Sequence, residues 1–586
     1  MMRTRMFRSV VLAALPALLG LSLASHDVSA QPRRGGKPKP PAGAPAKPPA
    51  GGGDIELDEP PPDQKGAKKD SGVTPTAGQM TEAAAKAKRE FANGAWENAA
   101  LGLYNVYKGN TGDDEGNKQY AQFDLAIALY NLKYYQAAYG IFSEIAEKPS
   151  HLKFNQTLLW LAKLATELPE PADIVERVGK YSEPQINQFK NESQSELYWQ
   201  LNYLLGRYKY RNRQFEDAIR LFKHVDRQSK YFIKGQFFTG ISYVQLRQSV
   251  PAVKSFQEIV KAIDDGVEGV DDEARIRDLA FLSQARTFYS ASVVLDEATN
   301  QPKIKEDRLS AAVKYWNKVD VGSEYWLDAM FEESWAYFMA GDYAHALGNI
   351  HAIEAPYFPN SFYPEAQILK AIIYFSNCQY EDATVITAKF QAKYQPMYDD
   401  LNKVLGRFKG DNQEEAFYKF LKDVRDGKAD LPPRIKIVVS NALSDRQLLR
   451  HIKYVELLDE ESKRVAKASA KFTGSPLGGD VKDALQLARD IAVRNAGQLA
   501  RERYQRNLDE LNEHLRDAAK ILIDITAAQR GQLDAALAGG ASKDVQEIER
   551  NIVKGDDEHV IWPFKKEYWR DELQFYRQSI KSKCAR

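Results

Sequence analysis

The chain has 586 residues, 81 lysines and arginines against 80 aspartates and glutamates, and two cysteines. That length exceeds one compact core and calls for several domains or a repeat array. Balanced charge excludes the uniformly basic surface of a general nucleic-acid binder, and two cysteines exclude a disulfide-stapled scaffold or a Cys-rich metal module.

Prolines divide the chain: 12 of 26 precede residue 80. Residues 1–30 read as a secretory signal, with Arg3, Arg5 and Arg8 ahead of the apolar run Val10–Leu23 and a small-residue cleavage site at Val28-Ser29-Ala30. The run is shorter than the ~20 residues that span a bilayer, so the mature protein is expected to be exported to the periplasm, cleaved near Ala30. Residues 31–79 form a Pro/Gly/Lys-rich linker with little to bury, expected to be disordered. Its acidic segment Asp54–Glu59 reads as solvated chain.

Amphipathic helical patterning starts at Thr81. Arg207–Phe222 and Ile241–Phe256 align at an offset of 34, pairing Gly206 with Gly240, Ala218 with Ala252, and Phe222 with Phe256. The same alanine recurs at Ala99, Ala138, Ala172, Ala312, Ala346 and Ala383. An aromatic precedes it by three residues at Trp96, Tyr135, Phe215, Tyr343 and Tyr380, and one follows it by four at Phe142, Phe222, Phe256 and Trp316. Gly94 and Gly341 supply turns ahead of the second helix. Where two helices cross, only a small residue lets the backbones approach, and the aromatics fill the space between neighbouring pairs. This pattern resembles the tetratricopeptide repeat (TPR), a helix A–turn–helix B unit with a 34-residue period. It covers residues 80–400 as six good units and two degenerate ones, the weakest at Ala172, where Pro169 and Pro171 crowd the turn. The expected fold is all-α: a TPR solenoid with a C-terminal long-helix hairpin or helical subdomain over residues 401–586.

In that last region Ile435–Lys471 and Val481–Arg530 read as two long helices around a turn-rich connector, Phe472–Gly479. Tyr504, Leu508, Leu511, Leu515, Ala518, Leu522 and Ile525 form a heptad seam. The hairpin either protrudes as a coiled coil or packs on the array. Six aromatics lie between Trp562 and Tyr576. This ending, together with the signal, the proline-rich head and the repeats, resembles secreted TPR proteins of gliding bacteria, the adventurous gliding motility proteins. The resemblance implies a place in an envelope-spanning complex.

No phosphate loop, dinucleotide fingerprint or nucleophile elbow occurs, and the histidines lack helical metal-pair spacing. Asp556–His559 reads as an acidic loop. No catalytic, cofactor-binding or metal residue is singled out, and no cofactor is expected. Partner binding is expected on the helix-A side, with candidate groove residues Tyr203, Arg207, Tyr210, Phe331, Trp335, Phe338, Ile372 and Phe375. The same stripe suits the protein's own C-terminal helices folding back. Cys378 falls at the last clear A–B turn. An oxidising compartment permits a bridge to Cys584, but the reading favours a buried Cys378 and a free or intermolecular Cys584.

These observations point to a non-enzymatic periplasmic scaffold that binds other envelope proteins in a gliding-motility complex. The first alternative is an assembly factor or regulator for outer-membrane, Tol or cell-wall machinery, and the second is a hydrolase with an unrecognised site.

Overall fold

The computed structural model describes residues 75–295, 302–443, 445–537, 548–557 and 560–584. The signal segment, residues 31–74 of the linker, Glu558 and His559 lie outside the described residues.

The protein is an all-α helical repeat. Helices pair along the chain as α1 (Glu82–Ala92) with α2 (Trp96–Tyr107), α3 (Glu115–Asn131) with α4 (Tyr135–Ala146), and α5 (Phe154–Glu167) with the short α6 (Ile174–Val178) and α7 (Glu183–Asn187). There follow α8 (Ser195–Arg211) with α9 (Phe215–Phe222), α10 (Phe232–Gln245) with α11 (Ser249–Asp264), and α12 (Glu273–Ser292) with α13 (Glu306–Trp316). The last pairs are α14 (Trp326–Ala340) with α15 (Tyr343–Ile353), and α16 (Pro364–Ser376) with α17 (Tyr380–Leu405). Helix α17 runs through residue 400, where sequence patterning divides the chain.

All eight repeat alanines are buried, seven of them completely. A Cβ on Gly206 would stand 2.6 Å from Phe222 Cε1, and one on Gly240 would stand 2.6 Å from Phe256 Cε1. The glycine is therefore the socket for the aromatic at the end of its own helix B. Aromatics also join pairs: Phe142 stacks on Trp160 at 5.8 Å, and Phe222 on Phe238 at 5.9 Å.

Six A–B turns share one backbone solution. Two residues before helix B, the chain enters the left-handed region at Gly94, Lys133, Arg213, Arg247, Gly341 and Cys378, with φ between 56° and 76°. The next residue returns its N–H to the carbonyl five positions back, as in Tyr134 to Leu129 (2.9 Å) and Gln214 to Lys209 (2.9 Å). This closes the end of helix A in the manner of a Schellman cap. Two units depart from the pattern. Ala172 sits in a single 3-10 turn, Glu170–Ala172, because Pro169 and Pro171 deny it a long helix B. The 60-residue interval between Ala252 and Ala312 contains an antiparallel hairpin, β1 (Val293–Leu295) with β2 (Pro302–Ile304), inserted between α12 and α13.

The C-terminal region comprises α18 (Gln413–Arg425), α19 (Pro433–Ala442), α20 (Arg446–Ala466), α21 (Ala470–Thr473) and α22 (Pro476–Leu537, 62 residues). The helix expected over Ile435–Lys471 is two helices, because Asp445 caps a new start by accepting from Leu448 N at 3.0 Å. Helix α22 begins earlier than expected, with Pro476 at its first position, where a missing N–H costs nothing. Arg489 pairs with Asp459 and Arg503 with Gln447, so α20 and α22 run antiparallel. Past α22 come β3 (Ile548–Asn551) and β4 (Ile580–Ser582), which pair with each other. Among the described residues, no helix is long and apolar enough to cross a membrane.

The two cysteines form a disulfide, with Cα atoms 5.0 Å apart and a sequence separation of 206. This overturns the expectation of a free Cys584. Cys378 sits in the left-handed A–B turn, and Lys583 N donates to Asn377 O at 2.9 Å, which brings the end of the chain alongside it.

Because Phe256 is completely buried, Phe256→Ala is expected to cost about 3–5 kcal/mol, whereas Gly240→Val overfills the same socket for about 1–3 kcal/mol. Thermal unfolding of both variants checks the order of the two losses. Equal, negligible losses would contradict the socket.

Candidate functional site

The protein covers much of its own array with its C-terminal helices, which pack on the helix-B starts of the first two pairs, on the degenerate third unit and on both helices of the last pair. Helix α20 runs from Glu324, just ahead of α14, past the third unit to the second pair, and α22 returns from the first pair to the last. At one end, Arg446 pairs with Glu324 (3.0 Å) and Arg450 with Glu170 (2.5 Å). Further on, Tyr454 Oη donates to Gln136 (2.8 Å), and at the hairpin bend Ser469 bonds Glu97. Helix α22 then starts beside the first pair, where Tyr104 Oη donates to Asp480 (2.6 Å) and Lys108 pairs with it at 3.3 Å. It finishes against the last pair, where Tyr504 Oη donates to Leu401 O (2.9 Å).

The seam expected for a coiled coil faces this interface. Tyr504, Leu508, Leu511, Leu515, Ala518 and Ile525 are buried, as are Leu448, Ile452, Val455 and Leu458 on α20. The hairpin packs; it does not protrude. The seam buries its apolar stripe against the array in the same way that one helix of a coiled coil covers another.

One contact completes a helix. Helix α4 has no side-chain cap of its own at Tyr134. Glu461 of α20 supplies it, its carboxylate accepting from the N–H groups of Gln136 (2.9 Å) and Ala137 (3.1 Å). Burial pushes the Glu461 carboxyl up to about 7, against those donors, which favour the ionised form. No sequence pattern signals a cap delivered from 325 residues away.

The candidate groove residues are mostly interior. Tyr203, Arg207, Tyr210, Phe331, Trp335, Phe338 and Ile372 are buried, and Phe375 is half-buried. An open groove lined by them is therefore not what the structure presents, because each fills space between neighbouring helices or beneath the hairpin. Arg207 lies over the Phe238 ring at 4.3 Å and pairs with Glu170, which also holds Arg211 and Arg450. Tyr203 stacks on Tyr231 at 5.2 Å, and Tyr210 meets Phe215 edge-on at 5.6 Å. Trp335 packs edge-on to Phe338 at 5.7 Å, and its indole hydrogen-bonds Glu365. Below them Arg286 and Glu332 form a fully buried pair, with Glu332 also accepting from the Trp316 indole at 3.1 Å. Removing either partner would strand a buried charge.

Helix α22 turns an acidic stripe toward α16. Glu510, Glu513 and Asp517 face Glu365, and burial together with their mutual repulsion pushes Glu365 up to about 8. Burial raises Glu510 to about 7 and also raises Glu513 and Asp517. On the same helix, burial depresses His514 to about 4. Arg506, Arg503, Arg516 and Lys520 partly offset the repulsion. Among the described residues, no group of three or more His, Cys, Asp or Glu side chains is arranged to hold a metal ion.

Two predictions arise here. Trp335→Ser combined with Phe338→Ser is expected to lower the unfolding midpoint sharply, because each deletes a buried ring worth about 3–5 kcal/mol. Wild-type stability in that double variant would return these side chains to an open surface. The carboxyls are raised in the folded state, so they bind more protons folded than unfolded, and stability falls as pH rises toward their folded values. The depressed His514 works oppositely, adding stability as pH rises from about 4 to about 6.5. Between about pH 6.5 and 8 only the carboxyls act, so the unfolding midpoint should fall across that window, and Glu365→Gln should flatten the fall. A midpoint that rises there, in both proteins, would contradict the assignment.

No protein-family model matches the chain, and no curated protein matches it. Among solved structures, the crystal structure of the apo form of RapI is similar, with 11% identity, 70% of this chain and 97% of that chain covered, and a TM-score of 0.28. So low a score leaves the architecture to rest on the internal repeat and its helix pairs.

Proposed function

We propose that this protein is an exported, non-enzymatic scaffold that holds other proteins of the cell envelope together. The observation that carries the reading is the single array of eight helix pairs, an architecture that offers an extended surface with few deep clefts. The bridge between Cys378 and Cys584 suits an oxidising compartment. The signal-like residues 1–30 and the tether-like residues 31–79 agree with export. A gliding-motility complex is the assembly we favour. Its support is the resemblance carried by the signal, the proline-rich head, the repeats and the aromatic ending.

With α20 and α22 packed along the array, the surfaces left for partners are its uncovered faces and edges and the segment that follows α22. In cells of the source organism, crosslinking followed by capture of the chain is expected to recover a form beginning near Gln31, with its cysteines oxidised, joined to other envelope proteins. A chain found in the cytosol with reduced cysteines would overturn the export reading. Turnover of peptidoglycan by the purified protein would overturn the non-enzymatic one.

A further inference from the structure

The strap, residues 548–584, is fastened to the helix-B side of the last two pairs. Besides the disulfide, Gln578 N donates to Ala344 O (3.0 Å), its side chain bonds Tyr374 Oη (2.8 Å), and Asn551 accepts from Tyr343 N (2.8 Å). Gly348 of α15 leaves no room for a Cβ beneath the Tyr576 carbonyl. The His351 ring stacks on Tyr568 at 5.0 Å and meets Tyr576 edge-on at 5.2 Å. Leu573, Ile580 and Cys584 point inward and are buried.

What the strap turns outward is unusual for this chain. Val560 is 93% exposed, Trp562 66%, Phe575 55%, Ile561 48%, Trp569 46% and Phe564 45%. Among the described residues, the large exposed aromatics are these four and Tyr357, which itself bonds the strap at the Tyr568 carbonyl. Trp562 and Trp569 stand side by side, ring centres 5.8 Å apart. The remaining tryptophans are buried or half-buried in the array. A patch of this kind, held on a rigid mount, marks an interaction surface.

We infer that this patch docks the protein on an anionic lipid surface, with Trp562, Trp569 and Phe564 entering the headgroup layer. Three observations select lipid over other occupants. Indole rings, amphipathic and flat, favour the membrane–water interface. The almost fully exposed Val560 and the half-exposed Ile561 add aliphatic surface, which a bilayer accepts and a stacked sugar does not. Charge is the third, and it is local: Lys565 and Lys566 stand beside Phe564, within a segment, residues 548–584, that carries eight lysines and arginines against seven acids. Lys565 and Lys566, both exposed, follow Phe564 directly, with Glu567 beside Lys566 and Asp571 and Glu572 just past Trp569. Basic residues beside an apolar patch are drawn to anionic headgroups. This inference stands independently of the scaffold reading.

The test is co-sedimentation of the full, oxidised chain with vesicles of phosphatidylcholine alone or with about a third phosphatidylglycerol. Wild type is expected to sediment with the anionic vesicles, less so as salt is raised. Trp562→Ser with Trp569→Ser should reduce partitioning at least tenfold, and Lys565→Glu with Lys566→Glu should reduce it on anionic vesicles only. Both variants alter exposed side chains, so unchanged melting curves will show that they remain folded. Cys584→Ser, which unfastens the strap from Cys378, should weaken binding without abolishing it. Wild type remaining in the supernatant with both vesicle types overturns the proposal. So does self-association that the tryptophan variant abolishes while vesicle binding stays absent, which would make the patch a contact between two copies of the chain.

Discussion

Stacking helix pairs buries the flank of each pair against its neighbours but leaves the helix-A side of the row uncovered. In this chain that side carries Phe331, Trp335, Phe338, Ile368 and Ile372, all of them buried. Such a stripe, if bare, would expose several large apolar side chains at once, at a cost of about 25 cal/mol for each Å² of apolar surface left in water. Covering that stripe is the constraint on which the C-terminal third of the molecule depends. The sequence after residue 405 contributes to that cover: α22 packs its apolar seam on α16 and α17 of the last pair, while α20 and the start of α22 bring polar contacts to the first three units.

Once the hairpin lies in place, other features acquire a physical cause. Glu461 caps α4 because α20 passes that helix end, and Arg450 joins Arg207 and Arg211 on Glu170 because α20 crosses the degenerate third unit where it lacks a long helix B. The acidic stripe of α22 opposite Glu365 makes the same interface electrostatically strained at neutral pH, with repulsion working against apolar burial. Packing of the C-terminal helices along the array and fastening of the strap on the last two pairs are thus two separate devices. The first stabilises the array, and the second presents an aromatic surface away from it.

The repeat was legible because it is written twice, once in the small residue at the crossing and once in the aromatics around it. Ala99 through Ala383 occupy the predicted crossings, and the weak unit at Ala172 is irregular for the reason its two prolines give. The turns were half legible. Gly94 and Gly341 declare a left-handed residue, but Lys133, Arg213, Arg247 and Cys378 adopt the same conformation without glycine, held by the cap that closes helix A. The seam on α22 was visible as a heptad, yet period alone does not say whether its partner is a second helix or a row of them. The candidate groove failed for a related reason: an apolar helix-A position looks the same whether a partner or the chain itself covers it. The disulfide was legible only as one of two alternatives, and the wrong one was favoured, because folding over a separation of 206 positions brings its two ends together.

Hydrogen exchange along the intact, oxidised chain tests this account most directly. If α20 and α22 are an integral part of the array, amides over residues 446–466 and 485–525 will be protected as strongly as those of α10 and α14, because they open only with the array. Fast exchange through α20 and α22, beside a protected α10 and α14, would mean that the hairpin rides loosely on a self-sufficient array. The central claim would then be contradicted.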